Sequence, residues 1–413
     1  MDEPSSPVRP RLRPLEAFPV RMEGRTLLCL RDPEGLAAQP ILLPGPATAI
    51  VAQMDGTSSL RDIQADIFRR TGEIVPFEEL EQFAAELDRL HFLDSPAFEQ
   101  FRAGIVRAFK EAATRPAAHA GGAYAGSAEE LRRQIDGFFT HADGPGRAGP
   151  PVPRPPLRGL IAPHIDFNRG GPAYAHAYAA LAGQHPFDRY LIFGTCHAGM
   201  RRRFGLTEKG YETPLGCART DRDFVRRLAA RLEVDYFTDE FAHRNEHSIE
   251  FQAVCLRYLQ GDAEFTIVPI LVGSFHDLLI EGKTPAENPE VRAMVEGIEA
   301  TLSEAPGRTC VIAGADLAHV GRRFGDEDGP TPEYLAEVER RDREFLALAA
   351  AADPEGAFRS IAADGDRRRV CGYPPIYMTL CALSGARGEL LQYRQWSDFE
   401  DGAAVTYASA ALY

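Results

Sequence analysis

The 413-residue sequence contains no apolar run that approaches the roughly 20 residues needed to span a membrane. Residues 1–14 are rich in Pro and Arg and lack the apolar core of a secretory signal peptide. The seven cysteines are an odd number without paired spacing, which disfavours a disulfide framework and indicates free thiols in a reducing compartment. These absences predict a cytoplasmic protein that has no membrane partner.

Positive charge is also scarce, because 60 acidic residues outnumber 46 basic ones and give a formal net charge of -14. Nucleic-acid binding needs a concentrated basic face, so this balance disfavours a nucleic-acid partner. Two short basic runs, 201–203 and 367–369, are typical of solvated loops, and the alternative is that they contact an anionic substrate. The length of the chain allows two domains and a large buried core.

The N-terminal part of the sequence has the pattern of a small separate domain. Apolar residues repeat at helical spacing in 60–68 and again in 77–90. Two helices followed by a β tail predict a small winged-helix-like α+β domain. We therefore divide the chain into a first domain at 15–100, a linker at 101–117 and a second domain at 118–413.

Two segments of the first domain, 54–63 and 87–93, resemble the small PqqD-like peptide-chaperone domains of modified-peptide biosynthesis. Such domains hold a peptide by adding it as a strand to an exposed sheet edge. The resemblance therefore implies a peptide as a partner of the first domain. The alternative is a small domain that only packs or dimerises.

The second half of the sequence alternates strand-like apolar runs with helical stripes. This alternation predicts βαβ units and a parallel or mixed α/β sheet with helices on both sides. The predicted strands are 157–162, 189–194, 265–273, 309–315, 390–396 and 404–412. The predicted helices are 224–232, 249–259, 333–348 and 376–383.

Several of these strands lead directly to side chains that can bind a metal ion or transfer a proton. His164 follows the first strand and His197 the second, while Asp316 and His319 follow the fourth on a predicted turn or first helical turn. Cys371 lies in the same half of the chain. The carboxyl ends of parallel strands share one sheet edge, so these residues can converge in one crevice. Taken singly, each of them also fits a structural role.

Two further positions have more than one interpretation. His247 and Glu250 are one helical turn apart near the start of a predicted helix, where they can pair and fix the imidazole of a pocket residue. Asp166 fits either an additional pocket carboxylate or a turn cap before Gly170. The remaining histidines that we assign to structural or surface positions are His176, His185, His243 and His276.

Six short motifs occur in the order that is typical of the Memo family. They are HAG at 119–121 with Tyr124, IAPH at 161–164, GTCH at 194–197, EHSIE at 246–250, ADLAH at 315–319 and CGYPPI at 371–376. Residues 115–413 therefore resemble Memo proteins, which share a fold with class III extradiol dioxygenases. Together with the first domain, the pattern resembles the variant called AmmeMemoRadiSam system protein B.

The resemblance implies a metal centre in which His164 and His197 match the two histidine ligands. Cys371 matches the third ligand position, where the dioxygenases have a glutamate. His319, accompanied by Asp316, matches a pocket histidine that acts as an acid or base. We predict His247 as a third catalytic residue beside His319 and Asp316. Fe(II) is the implied metal, with copper or zinc as alternatives.

The implied activity is that of a metal-dependent oxidoreductase whose partners are radical-SAM and AMMECR-type proteins. One alternative is a non-catalytic protein of the same system that binds metal or peptide. Another is hydrolysis by metal-activated water. The sequence departs from the family pattern at 165–168 and 373–374, so the resemblance does not identify the substrate.

Overall fold

The computed structural model describes residues 9–22, 24–146, 155–182, 184, 187–400 and 402–413. The chain divides into two compact units, of which the first ends at Glu111 and the second begins at Ala112. Residues 101–111, assigned to a linker from the sequence, continue the last helix of the first unit. Among the described residues, no helix combines the length and the apolar character that crossing a membrane requires.

In its described residues, the first unit combines a three-stranded antiparallel sheet with four helices. Its strands are β1 (Glu16–Met22), β2 (Arg25–Arg31) and β3 (Ile41–Leu43). Its helices are α1 (Gly45–Val51), α2 (Leu60–Thr71), α3 (Phe77–Arg89) and α4 (Pro96–Glu111). The two predicted helices are α2 and α3. Ser59 and Asp62 form a capping box that satisfies free backbone N–H groups and thereby fixes the start of α2.

The second unit is built on a nine-stranded mixed sheet with a small two-stranded sheet, β4 with β8, beside it. The strands are β4 (Thr114–Arg115), β5 (Gly159–Ala162), β6 (Arg189–Thr195), β7 (Phe204–Leu206), β8 (Gly210–Tyr211), β9 (Arg219–Thr220), β10 (Thr266–Val272), β11 (Thr309–Gly314), β12 (Asp316–Gly321), β13 (Gly388–Asp398) and β14 (Ala403–Leu412). The helices are α5 (Ala128–Thr140), α6 (Phe167–Ala182), α7 (Arg222–Ala229), α8 (His247–Gln260), α9 (His276–Glu281), α10 (Pro289–Glu304), α11 (Pro332–Ala350), α12 (Pro354–Ala362) and α13 (Tyr373–Ala382).

Helices cover both faces of this sheet because its central strands are apolar on both faces. Leu191 and Phe193 of β6 pack into one core cluster, while their neighbours Tyr190 and Ile192 pack into another. Successive side chains of a strand point to opposite faces, so each face needs its own layer of helices. The first cluster includes residues of α7, α10, α11, α12 and α13, and the second includes residues of α5, α6 and α8. The predicted mixed α/β sheet is confirmed.

Four parallel strands, in the order β5, β11, β6 and β10, form the centre of the sheet. Their carboxyl ends therefore lie at the same edge. His164 comes shortly after β5, His197 shortly after β6, and Asp316 shortly after β11. The topology thus brings these three residues to one edge, as predicted for parallel strands.

The turn or helical turn predicted for Asp316 and His319 is wrong, because both residues lie on β12, which pairs antiparallel with β14. Residues three apart on a regular strand would point to opposite faces. The register between β12 and β14 shifts between these two residues. Such a β-bulge changes the direction of the side chains that follow it, which allows both to approach the same site.

Two glycines allow α8 to pack closely against the sheet edge. A Cβ atom on Gly194 would lie 2.5 Å from Ser248 Oγ, and one on Gly314 would overlap the backbone oxygen of Ser248. The backbone oxygen of Ser248 cannot move away from such a contact, whereas the end of a flexible side chain can. The start of α8 therefore depends on the missing side chain of Gly314.

We expect Gly314→Ala to lower the free energy of unfolding by about 1–3 kcal/mol, because the added methyl group overpacks the contact between β11 and α8. Gly137→Ala is the matched control, since Gly137 is exposed inside α5 and an added Cβ would meet no atom within 4 Å. That control should be more stable than the wild type by roughly 0.5–1 kcal/mol. Urea unfolding measures both, and equal stability of Gly314→Ala and the wild type would contradict the close approach.

Candidate metal centre

Three histidines from separate segments meet at the carboxyl edge of the parallel strands. His164, His197 and His247 each offer a ligand atom within 4.8 Å of those of the other two. The ring centroids of His164 and His197 are 5.0 Å apart, and those of His197 and His247 are 4.7 Å apart. Metal–imidazole bonds are about 2.0–2.1 Å long, so small shifts would let these nitrogens share one ion. The cluster fits a first-row transition metal.

The Nδ1 atom of each of these rings already has a polar neighbour. His164 Nδ1 lies 3.0 Å from the Gly314 carbonyl oxygen. His197 Nδ1 lies 3.0 Å from Glu246 Oε1, and His247 Nδ1 lies 3.2 Å from the same oxygen. Metal-binding histidines commonly donate the second ring N–H to such an acceptor, which fixes the tautomer and the ring orientation. Nε2 is then the nitrogen that each ring offers to an ion.

Glu246 connects two of the three histidines and also caps α8. Its buried carboxylate accepts hydrogen bonds from the backbone N–H groups of His197 (2.8 Å), His247 (2.8 Å) and Ser248 (3.1 Å). Burial opposes ionisation, but His197 and His247 outweigh it and hold the pKa of Glu246 well below its usual value. The positive end of the α8 dipole also favours an anion here. One ionised carboxylate therefore positions two imidazoles.

Glu250 does not pair with His247, so that prediction is wrong. Its buried carboxylate accepts hydrogen bonds from the Arg115 guanidinium, the Tyr124 hydroxyl and the backbone N–H of His119 (3.0 Å). Arg115, which is fully buried, also donates to the backbone carbonyl of Glu246 at 2.7 Å. The guanidinium carries a positive charge that compensates the buried carboxylate, which a neutral imidazole cannot do. Through Arg115, Glu250 therefore stabilises the backbone of Glu246 and hence the centre.

Cys371 lies against the same imidazoles. Its Sγ atom is 3.3 Å from His164 Nε2, and the thiol also forms hydrogen-bonding contacts with the side chains of His197 and His319. Burial would raise the pKa of Cys371, but His164 and His319 hold it well below its usual value. Burial likewise opposes the charge of His164, but Asp316 and Cys371 raise its pKa to about 9. The two shifts favour a thiolate beside an imidazolium.

Asp316, which is buried, and His319, which is half-buried, complete the centre. Asp316 accepts a hydrogen bond from the His164 backbone N–H at 2.8 Å, and burial raises the pKa of its carboxyl group. His319 Nδ1 lies 3.1 Å from the Leu317 carbonyl oxygen. Burial opposes the charge of His319, but Cys371 and Asp316 raise its pKa above the usual value. These neighbours therefore favour the protonated form of His319 beside the sulfur.

The structure brings all the predicted site residues together, which are His164, His197, His247, Asp316, His319 and Cys371. The closest group of ligand atoms differs from the predicted one. His247, which we predicted as a catalytic residue, stands beside His164 and His197, whereas Cys371 was the predicted third ligand. Sequence reasoning did not assign Glu246 and Arg115 a role. The signal that was available is an acidic residue immediately before His247 at a helix start.

Asp166 and the described histidines assigned to structural positions have polar partners outside this cluster. Asp166 accepts from the Asn168 N–H (3.1 Å) and pairs with Arg169 (3.2 Å), as a residue that caps α6 would. His243 is buried between the Tyr211 hydroxyl and the Gly205 carbonyl. His176 and His276 are away from the cluster, and His185 lies outside the described residues. Tyr373 is buried against Phe275 and Phe358.

The family model for Memo-like proteins matches residues 115–411. This chain belongs to the Memo family. A MEMO1 family protein of Aquifex aeolicus is 28% identical over 388 residues, which cover 93% of this chain and 95% of that protein. A MEMO1 family protein of Methanopyrus kandleri is 30% identical over 305 residues, which cover 72% of this chain and 98% of that protein. Every residue of the cluster lies within the Memo-like segment, and the Aquifex match also reaches into the first unit.

We expect His164→Ala and His197→Ala to weaken binding of Zn(II) or Co(II) by more than about 100-fold, beyond the loss typical of residues that only support a ligand. Each variant removes an imidazole from the cluster and leaves the sheet in place. His276→Ala is the matched control, because His276 is exposed and outside the cluster. Metal titration measures the three dissociation constants. Unchanged binding in both cluster variants would contradict a shared metal site.

We expect metal binding to strengthen as pH rises from 6 to 8, by about tenfold per pH unit for each proton that the metal displaces. His164 has a pKa of about 9 in the free protein and must lose its proton to bind an ion. The pKa of Cys371 is held well below its usual value, which favours the thiolate form that binds an ion. Titration calorimetry in buffers of different ionisation enthalpy counts the protons released. Release of no proton at pH 7 would contradict the assignment of His164 as a ligand.

Proposed function

We propose that this protein binds one transition-metal ion and acts as a metal-dependent oxidoreductase. In this proposal His164, His197 and Cys371 hold the ion. The observation that carries it is the position of the Cys371 sulfur, 3.3 Å from His164 Nε2 and in contact with the His197 side chain. A thiolate and two imidazoles form a donor set of low total charge that first-row transition metals accept.

Fe(II) is the metal that we propose, with copper or zinc as outcomes of the same test. Imidazole binds all three metals well, so the donors alone do not choose between them. The resemblance to class III extradiol dioxygenases, which use ferrous iron, supports Fe(II) and a dioxygenase-like fold for the second unit. When bound, the ion supplies Lewis acidity and, for iron or copper, one-electron chemistry.

The protein's own groups supply a proton donor beside the sulfur and a neutral imidazole beside His164 and His197. The raised pKa of His319 favours the protonated imidazole, which contacts Cys371. Burial and the neighbouring His197 lower the pKa of His247 well below its usual value, so it stays neutral. Environments that separate two pKa values in this way assign an acid and a base. His319 then donates a proton to the substrate, and His247 accepts one or completes the coordination of the ion.

Access to the centre is from the side of His197 and His247. Their side chains are 35% and 30% exposed, whereas those of His164 and Asp316 are almost fully buried. A substrate therefore reaches the ion past the two exposed rings. Asp316 holds the His164 backbone on the closed side, where water is excluded.

The first unit supports a second function, the binding of a peptide. Among the described strands, β1 pairs with β2 alone, and in this proposal a peptide would add to its other edge. We propose a PqqD-like, winged-helix-like domain at 15–100 that binds a peptide or partner, followed by the Memo-like domain at 118–413. In this proposal the chain is the cytoplasmic AmmeMemoRadiSam system protein B, and its partners are radical-SAM and AMMECR-type proteins. A protein that only binds metal or peptide for that system is the alternative.

We expect Co(II) bound to the wild type to show a sulfur-to-cobalt charge-transfer absorption that Cys371→Ser abolishes, because a hydroxyl group cannot replace the thiolate donor. Cys217→Ser is the matched control, since Cys217 is a half-buried cysteine outside the cluster and should leave the absorption unchanged. Absorption spectra during anaerobic Co(II) titration measure this. If Cys371→Ser keeps the wild-type spectrum while His247→Ala loses the metal, the three histidines are the ligands and the assignment of Cys371 is wrong.

We expect protein loaded with Fe(II) without oxygen to consume oxygen, or to convert a partner-derived substrate, when it is mixed with oxygenated buffer and the purified system partners. His319→Gln should lower this turnover by about 100-fold or more while metal content stays constant, because a positioned proton donor is lost. An oxygen electrode and product analysis measure the two rates. No metal-dependent turnover with any partner would contradict the oxidoreductase and favour the binding protein.

A further inference from the structure

A buried ion pair lies behind the Cys371 side of the centre. It joins Asp342 of α11 to Arg368, which precedes Cys371 by three residues, and the two side chains are only 1% and 4% exposed. The second carboxylate oxygen of Asp342 accepts hydrogen bonds from the hydroxyl groups of Thr406 of β14 (2.5 Å) and Tyr393 of β13 (3.0 Å). One carboxylate thus connects a helix, two strands and the segment that leads to the cysteine.

Two partners of Asp342 also hold the backbone of β12. The Arg368 carbonyl accepts the N–H of His319 at 2.7 Å, and Thr406 Oγ1 accepts the N–H of Ala318 at 2.8 Å. Arg369 adds a hydrogen bond from its guanidinium to the His319 carbonyl at 3.3 Å. These contacts fix β12 directly after its bulge, where the direction of the His319 side chain is set.

A buried ion pair is an expensive way to stabilise a fold, because well-packed apolar residues of similar volume often do so equally well. The ion pair instead fixes the arrangement of the elements that it joins, because its donors and acceptors are all satisfied only in that arrangement. We propose that Asp342 is a positioning residue that, through Arg368 and Thr406, holds His319 and Cys371 in contact with each other. This inference rests on the proposed metal function of the same site.

The other half of the centre has a separate support. Arg115 and Glu250 form a second buried ion pair, and Arg115 holds the backbone of Glu246, whose carboxylate orients His197 and His247. Loss of Asp342 should therefore disturb the sulfur and His319 while the imidazoles held by Glu246 keep their positions. A purely structural role of Asp342 would not produce this division.

The test is Asp342→Asn, which keeps the size of the side chain and removes its charge. Anaerobic Co(II) titration should show a weaker sulfur-to-cobalt charge-transfer absorption and an affinity lower by about 10–100-fold, as is typical when a supporting partner of a metal site is lost. The ligand-field absorption of the bound cobalt should persist. The matched control is Asp221→Asn, which breaks the buried pair with Arg189 at the start of β6, at the opposite end of that strand from His197. It should lower stability and leave the spectrum and the affinity unchanged.

If Asp342→Asn does not fold, two variants of Thr406 test the same positioning role. Thr406→Val has the same shape as threonine but cannot bond to Asp342 or to the Ala318 N–H, and it should weaken the same absorption. Thr406→Ser keeps the hydroxyl group and should restore it. Wild-type spectrum and affinity in Thr406→Val or in folded Asp342→Asn would overturn the inference. If the wild type itself binds no metal, the proposed function fails instead.

Discussion

The arrangement of the centre depends on the buried carboxylate of Glu246 at the start of α8. It accepts hydrogen bonds from three backbone N–H groups, those of His197, His247 and Ser248, and it lies within reach of Nδ1 of both imidazoles. A buried charge is tolerated only when it is paired and its lone pairs are satisfied. Because α8 can approach the strands only where Gly194 and Gly314 leave space, the helix and the sheet edge together place this carboxylate.

Much of this frame could be predicted from local pattern. Apolar runs that end at His164 and His197 indicate parallel strands, and the rule that such strands share a carboxyl edge predicts their convergence. The bulge on β12 could not be predicted, because it depends on how that strand pairs with β14, and nothing in the residues 315–319 reports the register. The predicted pairing of Glu250 with His247 was wrong for a related reason. Spacing shows which groups can meet on one helix, whereas the actual partner, Arg115, is 135 residues away.

The charges of the free centre explain why its groups are close together without repelling one another. The lowered pKa of Cys371 favours its thiolate, and the raised pKa values of His164, His197 and His319 favour their protonated forms. His247 stays neutral beside them, since a further positive charge among these imidazoles would be costly. An incoming divalent cation therefore replaces protons rather than entering an empty negative pocket, which links metal binding to the protonation of the site.

Cys371 takes part in two proposed functions, metal binding and proton transfer, whose other residues are held by separate contacts. Its sulfur contacts His164 on the side of the proposed ligands and His319 on the side of the proton donor. A carboxylate in this position would offer two oxygens to these neighbours, whereas a thiolate offers one large, weakly hydrogen-bonding atom that must serve both. In the proposed function, metal binding and proton transfer would consequently be coupled through this single atom. This coupling requires that Cys371 and His319 be held independently of the imidazoles fixed by Glu246, and the ion pair of Asp342 with Arg368 is positioned to hold them.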